Sequence, residues 1–328
     1  MARFGVYPTP VQRLARWSTA ASELWIKRDD LTSPSYGGNK VRKLELVLAE
    51  AQRLEKRKVV TLGAVGSHHV LATGIFGKSL GLEVEAVVIG QPRTTHVLEN
   101  ARASVGQGVR MIPASNYAEG ALLLGARVAL GAYFIPAGGS SKLGTIGYVE
   151  AARELSEQVA RAEMPEPDVL VVALGSGGTA AGLAAGVVAA GLRTRILAVT
   201  VAAPARLLER NARILAEQCA EPSQKRAVAS RLEQTRAYLG PGYGHVTPES
   251  ERALREAADE GLVLDSTYTA KAFVAACERV QLGRERTILF WHTLSSAPIE
   301  PLLVGAPRED ELDPKLLRLA KTDSTAKS

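Results

Sequence analysis

Ser35-Tyr36-Gly37-Gly38-Asn39-Lys40-Val41-Arg42-Lys43 follows Leu24-Trp25-Ile26-Lys27-Arg28-Asp29-Asp30-Leu31, which reads as a short strand ending in a charged turn. The two glycines let the backbone approach another group closely. Asn39 can hydrogen-bond, and Lys40 opens a helix that runs on through Val41-Arg42-Lys43-Leu44-Glu45-Leu46-Val47-Leu48-Ala49-Glu50. A lysine at a helix start feels the positive end of the dipole, which lowers its pKa and favours the neutral amine. Such an amine can form a Schiff base. One lysine among 40 Lys and Arg means little by itself, since most must be solvated. The Gly-Gly-Asn-Lys setting is what singles out Lys40.

A second glycine cluster, Gly175-Ser176-Gly177-Gly178-Thr179-Ala180-Ala181-Gly182, lies between an apolar strand and an alanine-rich helix. Glycines let several N–H groups point at one anion, and the helix start adds positive partial charge. The physical expectation is a phosphate cradle formed by Ser176, Gly177, Gly178 and Thr179; a tight strand-to-helix connection is the plain alternative. A third loop, Gly63-Ala64-Val65-Gly66-Ser67-His68-His69, has the same setting, and its N–H groups are candidates to hold a substrate carboxylate, with Ser67, His68 and His69 beside it. Adjacent histidines raise the question of a metal. No cysteine or acidic ligand cluster accompanies them, so no metal site is expected.

Around these loops, apolar runs alternate with helical ones. Val59-Val60-Thr61-Leu62 precedes a helix over 67–80; Glu83-Val84-Glu85-Ala86-Val87-Val88-Ile89 precedes a helix over 95–105. Val169 to Leu174 precedes a helix over 179–190, and Arg195-Ile196-Leu197-Ala198-Val199-Thr200-Val201 and Thr287-Ile288-Leu289-Phe290-Trp291-His292 complete the series. Continuous apolar strands separated by helices predict an α/β fold with parallel sheets covered on both faces. No internal repeat is visible. With 328 residues, 46% of them hydrophobic, the chain can bury a large core in two lobes.

The net charge of +6 is mild, and basic residues are mixed with acids, as in Arg153-Glu154 and Glu249-Ser250-Glu251-Arg252. That mixing reads as solvated helix faces, not as a nucleic-acid or membrane surface. The longest apolar stretch, 168–190, is broken by Gly175-Ser176-Gly177-Gly178 and reads as strand, loop and helix rather than a membrane span. The two cysteines, Cys219 and Cys277, have no paired spacing and suit a reduced, cytoplasmic protein. No signal peptide is expected at the N-terminus, and residues 321–328 read as a disordered tail.

The chain resembles the pyridoxal-phosphate enzymes grouped as D-cysteine desulfhydrase and 1-aminocyclopropane-1-carboxylate deaminase. The likeness starts at Tyr7-Pro8-Thr9-Pro10-Val11-Gln12, continues through Trp25-Ile26-Lys27-Arg28-Asp29-Asp30-Leu31 and Gly37-Gly38-Asn39-Lys40-Val41-Arg42-Lys43-Leu44-Glu45, and covers nearly the whole chain. It implies a two-lobed fold of type II, similar to the tryptophan synthase β subunit. A small α/β domain over 46–145 is then inserted in a large domain made of 1–45 and 146–328, with pyridoxal 5'-phosphate in the cleft. A cytoplasmic homodimer acting on a small amino acid is implied, without nucleic-acid or membrane partners.

Residue by residue, the resemblance makes Lys40 the cofactor's Schiff-base lysine and catalytic base, with Asn39 beside it and Lys43 reaching the phosphate. It makes Ser67 a substrate-positioning and proton-relaying group, and Tyr243 and Tyr268 an active-site pair able to donate to a leaving group or to be deprotonated near a cation. Thr293 then faces the pyridine nitrogen as a neutral partner. Four positions depart from the family pattern. His68 stands where an asparagine usually bonds the cofactor's phenolic oxygen, and Leu71 where an arginine is usual. Leu294-Ser295 replace Gly-Gly and add volume near the ring. Cyclopropane deaminases usually carry Glu directly after the second tyrosine; this chain has Thr269, which tilts the expectation to α,β-elimination from D-cysteine, giving pyruvate, ammonia and sulfide. Cyclopropane ring opening, β-replacement by a second nucleophile, and a cofactor-binding protein without turnover are the alternatives.

Overall fold

A computed structural model describes residues 3–320; the tail expected over 321–328 lies outside the described residues. Ten strands run in chain order as β1 (Val11–Arg13), β2 (Glu23–Lys27), β3 (Lys58–Ala64), β4 (Glu83–Ile89), β5 (Arg110–Pro113), β6 (Tyr133–Ile135), β7 (Val169–Leu174), β8 (Arg195–Thr200), β9 (Leu232–Thr235) and β10 (Thr287–Trp291). They form two sheets, of order β1-β2-β10-β7-β8-β9 and β5-β4-β3-β6. Every pairing is parallel except β1 with β2.

The chain divides into two compact units, one of residues 5–43 and 140–296, the other of residues 3–4, 44–139 and 297–320 among those described. In the first unit, the side chains of the central strands alternate between two cores. Leu170, Val172, Leu174, Ile196, Ala198, Leu289 and Trp291 pack on one face, with helices Lys142–Ala160, Gly178–Ala189 and Ala205–Gln218. Val169, Val171, Leu197, Val199, Ile288 and Phe290 pack on the other, with helices Pro248–Asp259 and Thr269–Leu282. Such strands are apolar along most of their length because neither face meets water.

The helix Gly178–Ala189 is apolar all round and buried for the same reason. Its glycines set how near its neighbour comes. A Cβ at Gly182 would sit 2.4 Å from the Thr145 carbonyl, and one at Gly186 2.6 Å from Ala152 Cβ, so only glycine allows this contact with helix Lys142–Ala160.

Under this unit lies a buried ion network. Asp29, fully buried, accepts from Arg42 Nη2 at 2.8 Å, Tyr148 Oη at 2.7 Å, Trp291 Nε1 at 2.8 Å and Thr9 Oγ1 at 2.9 Å. Glu154 pairs with Lys27 at 2.5 Å and Arg42 at 2.9 Å. The reading of Arg153-Glu154 as a solvated face is therefore corrected for Glu154: its side chain is 12% exposed and serves the core. One step of the helical repeat separates it from exposed Arg153.

In the second unit, three helices, His68–Ser79, Thr95–Gly106 and Tyr117–Ala129, accompany the four parallel strands. Residues 297–320 group here, although the sequence assigned them to the large domain. Arg102 Nε donates to the Pro307 carbonyl at 2.8 Å, Gln91 N to the Leu319 carbonyl at 3.3 Å, and Arg93 pairs with Glu309. Gly106 admits Ala306, whose Cβ would lie 2.7 Å from a Cβ at 106. No helix among the described residues is long and apolar enough to cross a membrane.

Candidate active site

Lys40 begins helix Lys40–Arg53, and the loop before it is held at three points. Gly38 N donates to the Asp29 carbonyl at 2.8 Å, Asn39 N to the Thr293 carbonyl at 3.0 Å, and Gly37 N to Ser295 Oγ at 2.8 Å. Gly38 has φ +86°, and a Cβ there would lie 2.7 Å from the Thr293 carbonyl, so the turn demands glycine. Ser295, read from the sequence as added volume near the ring, gives the loop a hydroxyl acceptor.

The Lys40 amine donates to Asn39 Oδ1, and Asn39 Nδ2 donates to Thr179 Oγ1 at 3.0 Å. One side chain thus joins the amine to the start of helix Gly178–Ala189. The Lys40 pKa is lowered to about 8, as expected. The cause is burial, which outweighs the opposing charge of Asp265, rather than the dipole that the sequence suggested.

The second glycine cluster gathers several donors around Ser140. Lys43 Nζ donates to Ser140 Oγ at 3.2 Å, Ser140 and Ser176 share a hydrogen bond of 2.7 Å, and Gly178 N donates to Ser140 Oγ at 3.2 Å. Asn211 Nδ2 fixes the loop by donating to the Ser176 carbonyl at 2.7 Å. Gly177, with φ +97°, caps the helix without any side-chain acceptor, and a Cβ at Gly178 would lie 2.6 Å from Ser140 Oγ and 3.0 Å from Lys43 Nζ. Burial, and then the charge of Lys40, push the Lys43 pKa well down; an arriving anion would oppose both by favouring the charged amine. An amine, two hydroxyls, an N–H and a helix start converge here, none of them a carboxylate, and this donor set fits a phosphate ester. Ser140 escaped the sequence reading, although Gly138-Gly139-Ser140-Ser141 carries a turn signal before a helix.

Tyr268 and Tyr243 meet edge to face, with centroids 5.7 Å apart, and the Tyr268 hydroxyl donates to Tyr243 Oη at 3.0 Å. Tyr268 lies against the cradle loop: a Cβ at Gly175 would touch its ring at 2.9 Å. Burial raises its pKa well above the ordinary value, with Tyr243 adding to the effect, so it is held as a donor and not as a phenolate. Asp265 accepts from the N–H groups of Thr267, Tyr268 and Thr269 at 2.8–3.0 Å and fixes the start of helix Thr269–Leu282. Buried Lys271 donates to the carbonyls of Leu239 and Gly242 and holds the loop that carries Tyr243. Neither Asp265 nor Lys271 was singled out from the sequence.

In the other unit, the Gly63–Ser67 loop departs from expectation. Its N–H groups at Val65, Gly66 and Ser67 already donate to the Ile89 carbonyl, Gln91 Oε1 and the Ala64 carbonyl, so they do not form a cradle for a carboxylate. Ser67 caps helix His68–Ser79: its Oγ accepts from His69 N at 3.2 Å and keeps its own proton to donate. His69 is buried, with Nε2 2.8 Å from Thr61 Oγ1; because Thr61 donates to the Ile135 carbonyl, His69 is the donor. That bond ties helix to strand and withdraws His69 from the candidate substrate contacts. His68 Nε2 lies 2.9 Å from Nε2 of His96, another residue not singled out earlier.

The family described as "Pyridoxal-phosphate dependent enzyme" matches residues 2–293. A D-cysteine desulfhydrase of Klebsiella pneumoniae is 36% identical over 310 residues, covering 87% of this chain and 91% of that protein. A Pyrococcus furiosus protein provisionally named a 1-aminocyclopropane-1-carboxylate deaminase is 34% identical over 298 residues, with coverage of 88% and 89%. Among solved structures, an ACC deaminase homologue superposes with a TM-score of 0.75 at 29% identity, over 92% of this chain and 97% of that one. Glycine cradle, buried amine and sheet order thus agree with a match along most of the sequence, and the chain belongs to the pyridoxal-phosphate-dependent enzymes, with pyridoxal 5'-phosphate as its cofactor.

Proposed function

We propose that this enzyme eliminates the α-proton and a β-substituent from a small amino acid, with D-cysteine yielding pyruvate, ammonia and sulfide. The observation that carries the reading is the Lys40–Asn39–Thr179 chain, which fixes a readily deprotonated amine to the same frame as an anion cradle. The D-cysteine desulfhydrase relative supports the reaction class.

When bound, pyridoxal phosphate supplies an electron-accepting ring that stabilises negative charge at Cα. Lys43, Ser140, Ser176, the Gly178 N–H and Thr179 would hold its phosphate, and Thr293 would be the neutral partner of its ring nitrogen. Lys40 would be its covalent anchor, and its amine, neutral in part at neutral pH, would be the base that takes the proton from Cα. Ser67 donates to the substrate carboxylate, and His68 serves the phenolic oxygen. Tyr268, kept protonated, donates to the departing thiolate, which leaves with the C–S electron pair. Water then converts the released enamine to the 2-oxo acid and ammonia.

Thr269 favours this reading over ring opening. It is buried, and its hydroxyl donates to Asp265 Oδ1 at 2.6 Å. A glutamate there would set a second carboxylate against Asp265, at a cost in repulsion. We propose further that the enzyme is a cytoplasmic homodimer, which sedimentation equilibrium tests.

The deciding experiment incubates cofactor-loaded protein with D-cysteine, L-cysteine, D-serine and 1-aminocyclopropane-1-carboxylate, and measures keto acid and sulfide. Pyruvate with sulfide from D-cysteine is the expected result. Keto acid from the cyclopropane substrate alone would favour ring opening, and none from any substrate would refute the proposal.

A further inference from the structure

Strands β2 and β10 are parallel neighbours with Trp291 beside Lys27, so the segments that leave their ends start side by side. One leads to Lys40; the other is the segment 293–296. Hydrogen bonds continue the pairing beyond the strands. His292 N donates to the Lys27 carbonyl at 3.0 Å, Asn39 N to the Thr293 carbonyl at 3.0 Å, and Ser296 N to the Asp30 carbonyl at 3.2 Å. Two more use serine hydroxyls. Gly37 N donates to Ser295 Oγ at 2.8 Å, and Ser296 Oγ donates to Asp30 Oδ2 at 2.6 Å.

Chemistry fixes the direction of both hydroxyl bonds: a backbone N–H only donates, and a carboxylate paired with a guanidinium only accepts. The Asp30 side chain is fully buried and Arg28 also reaches Oδ2, at 2.8 Å, so the Ser296 bond is charge-assisted and of the stronger kind. Around these bonds backbone lies against backbone. A Cβ at Gly37 would sit 2.0 Å from the Asp30 carbonyl, and one at Gly38 3.0 Å from Ser295 N. The contact ends at Asn39, directly before Lys40. Ser295 stands where the family pattern has glycine, which offers Gly37 no hydroxyl.

We propose that Ser295 and Ser296 are positioning residues for Lys40: their hydroxyls fasten the segment after β10 to Gly37 and to Asp30, and so hold the amine in its buried place. Burial is the main cause of the low Lys40 pKa, so a loosened fastening that lets water reach the amine must raise it. The fastening thereby keeps part of the amine neutral, the form that reacts. The inference rests on Lys40 as the reacting amine under Proposed function; the hydrogen bonds do not.

The test compares the full-length, cofactor-free protein with Ser295→Ala, Ser296→Ala, both alanine changes together, and Ser295→Thr with Ser296→Thr, which keeps both hydroxyls. Competitive labelling with an amine-reactive reagent reads the Lys40 midpoint. Hydrogen–deuterium exchange reads the peptide that carries Gly37, Gly38 and Asn39. In the double alanine variant that peptide should exchange about fivefold faster or more, and the neutral fraction of Lys40 at neutral pH should fall by about the same factor, which one lost hydrogen bond supplies. The threonine pair should return both readings to those of the parent. Should the double alanine variant not fold, the single ones carry the same readings. Faster exchange with a midpoint still near 8 would show a merely structural fastening and overturn the proposal. Unchanged readings in the folded alanine variants, or no recovery in the threonine pair, would overturn it as well. Failure of the D-cysteine assay beside the expected labelling would refute the reaction and leave the fastening standing.

Discussion

Replacing Asp265 with asparagine should make the Lys40 amine more reactive at neutral pH. Burial moves the lysine from its ordinary 10.5 to about 8, and the charge of Asp265 is the interaction that opposes the fall. At pH 7 a pKa of 8 leaves roughly a tenth of the amine neutral, against about 0.03% for an unshifted lysine, a gain of about 300-fold. Removing the carboxylate charge should lower the midpoint further. The assay is competitive labelling of the cofactor-free protein with an amine-reactive reagent between about pH 6 and 11, reading the Lys40 peptide by mass spectrometry. The parent should give a midpoint near 8 and Asp265→Asn a lower one. The same shift appears in stability, with a sign that can be checked. A lysine depressed on folding binds fewer protons than the unfolded chain between about 8 and 10.5, so the folded state gains stability as pH rises through that window. Below it, Lys40→Met should stabilise the cofactor-free protein, by on the order of 2 kcal/mol after allowance for partial exposure. A parent midpoint near 10, or a rise in Asp265→Asn, would refute the account of this amine.

Gly178→Ala should weaken cofactor binding at least about tenfold, since its Cβ would enter the space 2.6 Å from Ser140 Oγ and cost more than about 1.4 kcal/mol; titration of cofactor-free protein measures it, and an unchanged Kd would place the phosphate elsewhere. Tyr268→Phe should lower kcat by about 10²-fold or more with little change in KM, as expected for loss of a proton donor; an equal loss in both would mean that the ring only packs. Asp29→Ala should cost about 3–5 kcal/mol, because it takes from Arg42 one of its two carboxylates and leaves the buried Tyr148 and Trp291 donors without their acceptor, and urea unfolding that moves by less than about 1 kcal/mol would show the network to be dispensable. Although burial pushes the Asp29 carboxyl up, Arg42 holds it below its ordinary value, so its contribution is present above that value and lost as pH falls through the depressed one.

The parts of this architecture that sequence reveals are those whose cause is local. Val169–Leu174 is a strand at its expected bounds because an unbroken apolar run of six residues buries both faces, and Glu83–Ile89 is one because its five apolar residues follow from Val84 with only Glu85 between them. The strands β1, β5, β6 and β9 have three or four residues each and no readable period. They form because a neighbouring strand offers a ladder, and that information lies elsewhere in the chain. The helix over 67–80 was expected within a residue of His68–Ser79, since Ser67 is a cap with a local hydrogen bond.

The same division runs through the candidate site and explains which of its residues were missed. Lys40, Asn39 and the Gly175–Thr179 loop advertise themselves, because close backbone approach demands glycine next to a helix start. Ser140 acts through Lys43, 97 residues away, and Ser176, 36 away, so neither spacing nor residue type marks it. Asp265 and Lys271 likewise act on the loop and helix that carry the tyrosines, through bonds that exist only after folding. The depressed pKa of Lys40 makes the point in one residue. A dipole argument can be made from the sequence and gives the right direction, but the governing quantity is burial, which exists only once the chain has folded around the amine. Local chemistry thus identifies the groups that react, while their strength is set by distant neighbours. Variants of Asp265 and Ser140 should for that reason alter the Lys40 pKa and the cofactor affinity while leaving the recognisable motif residues untouched.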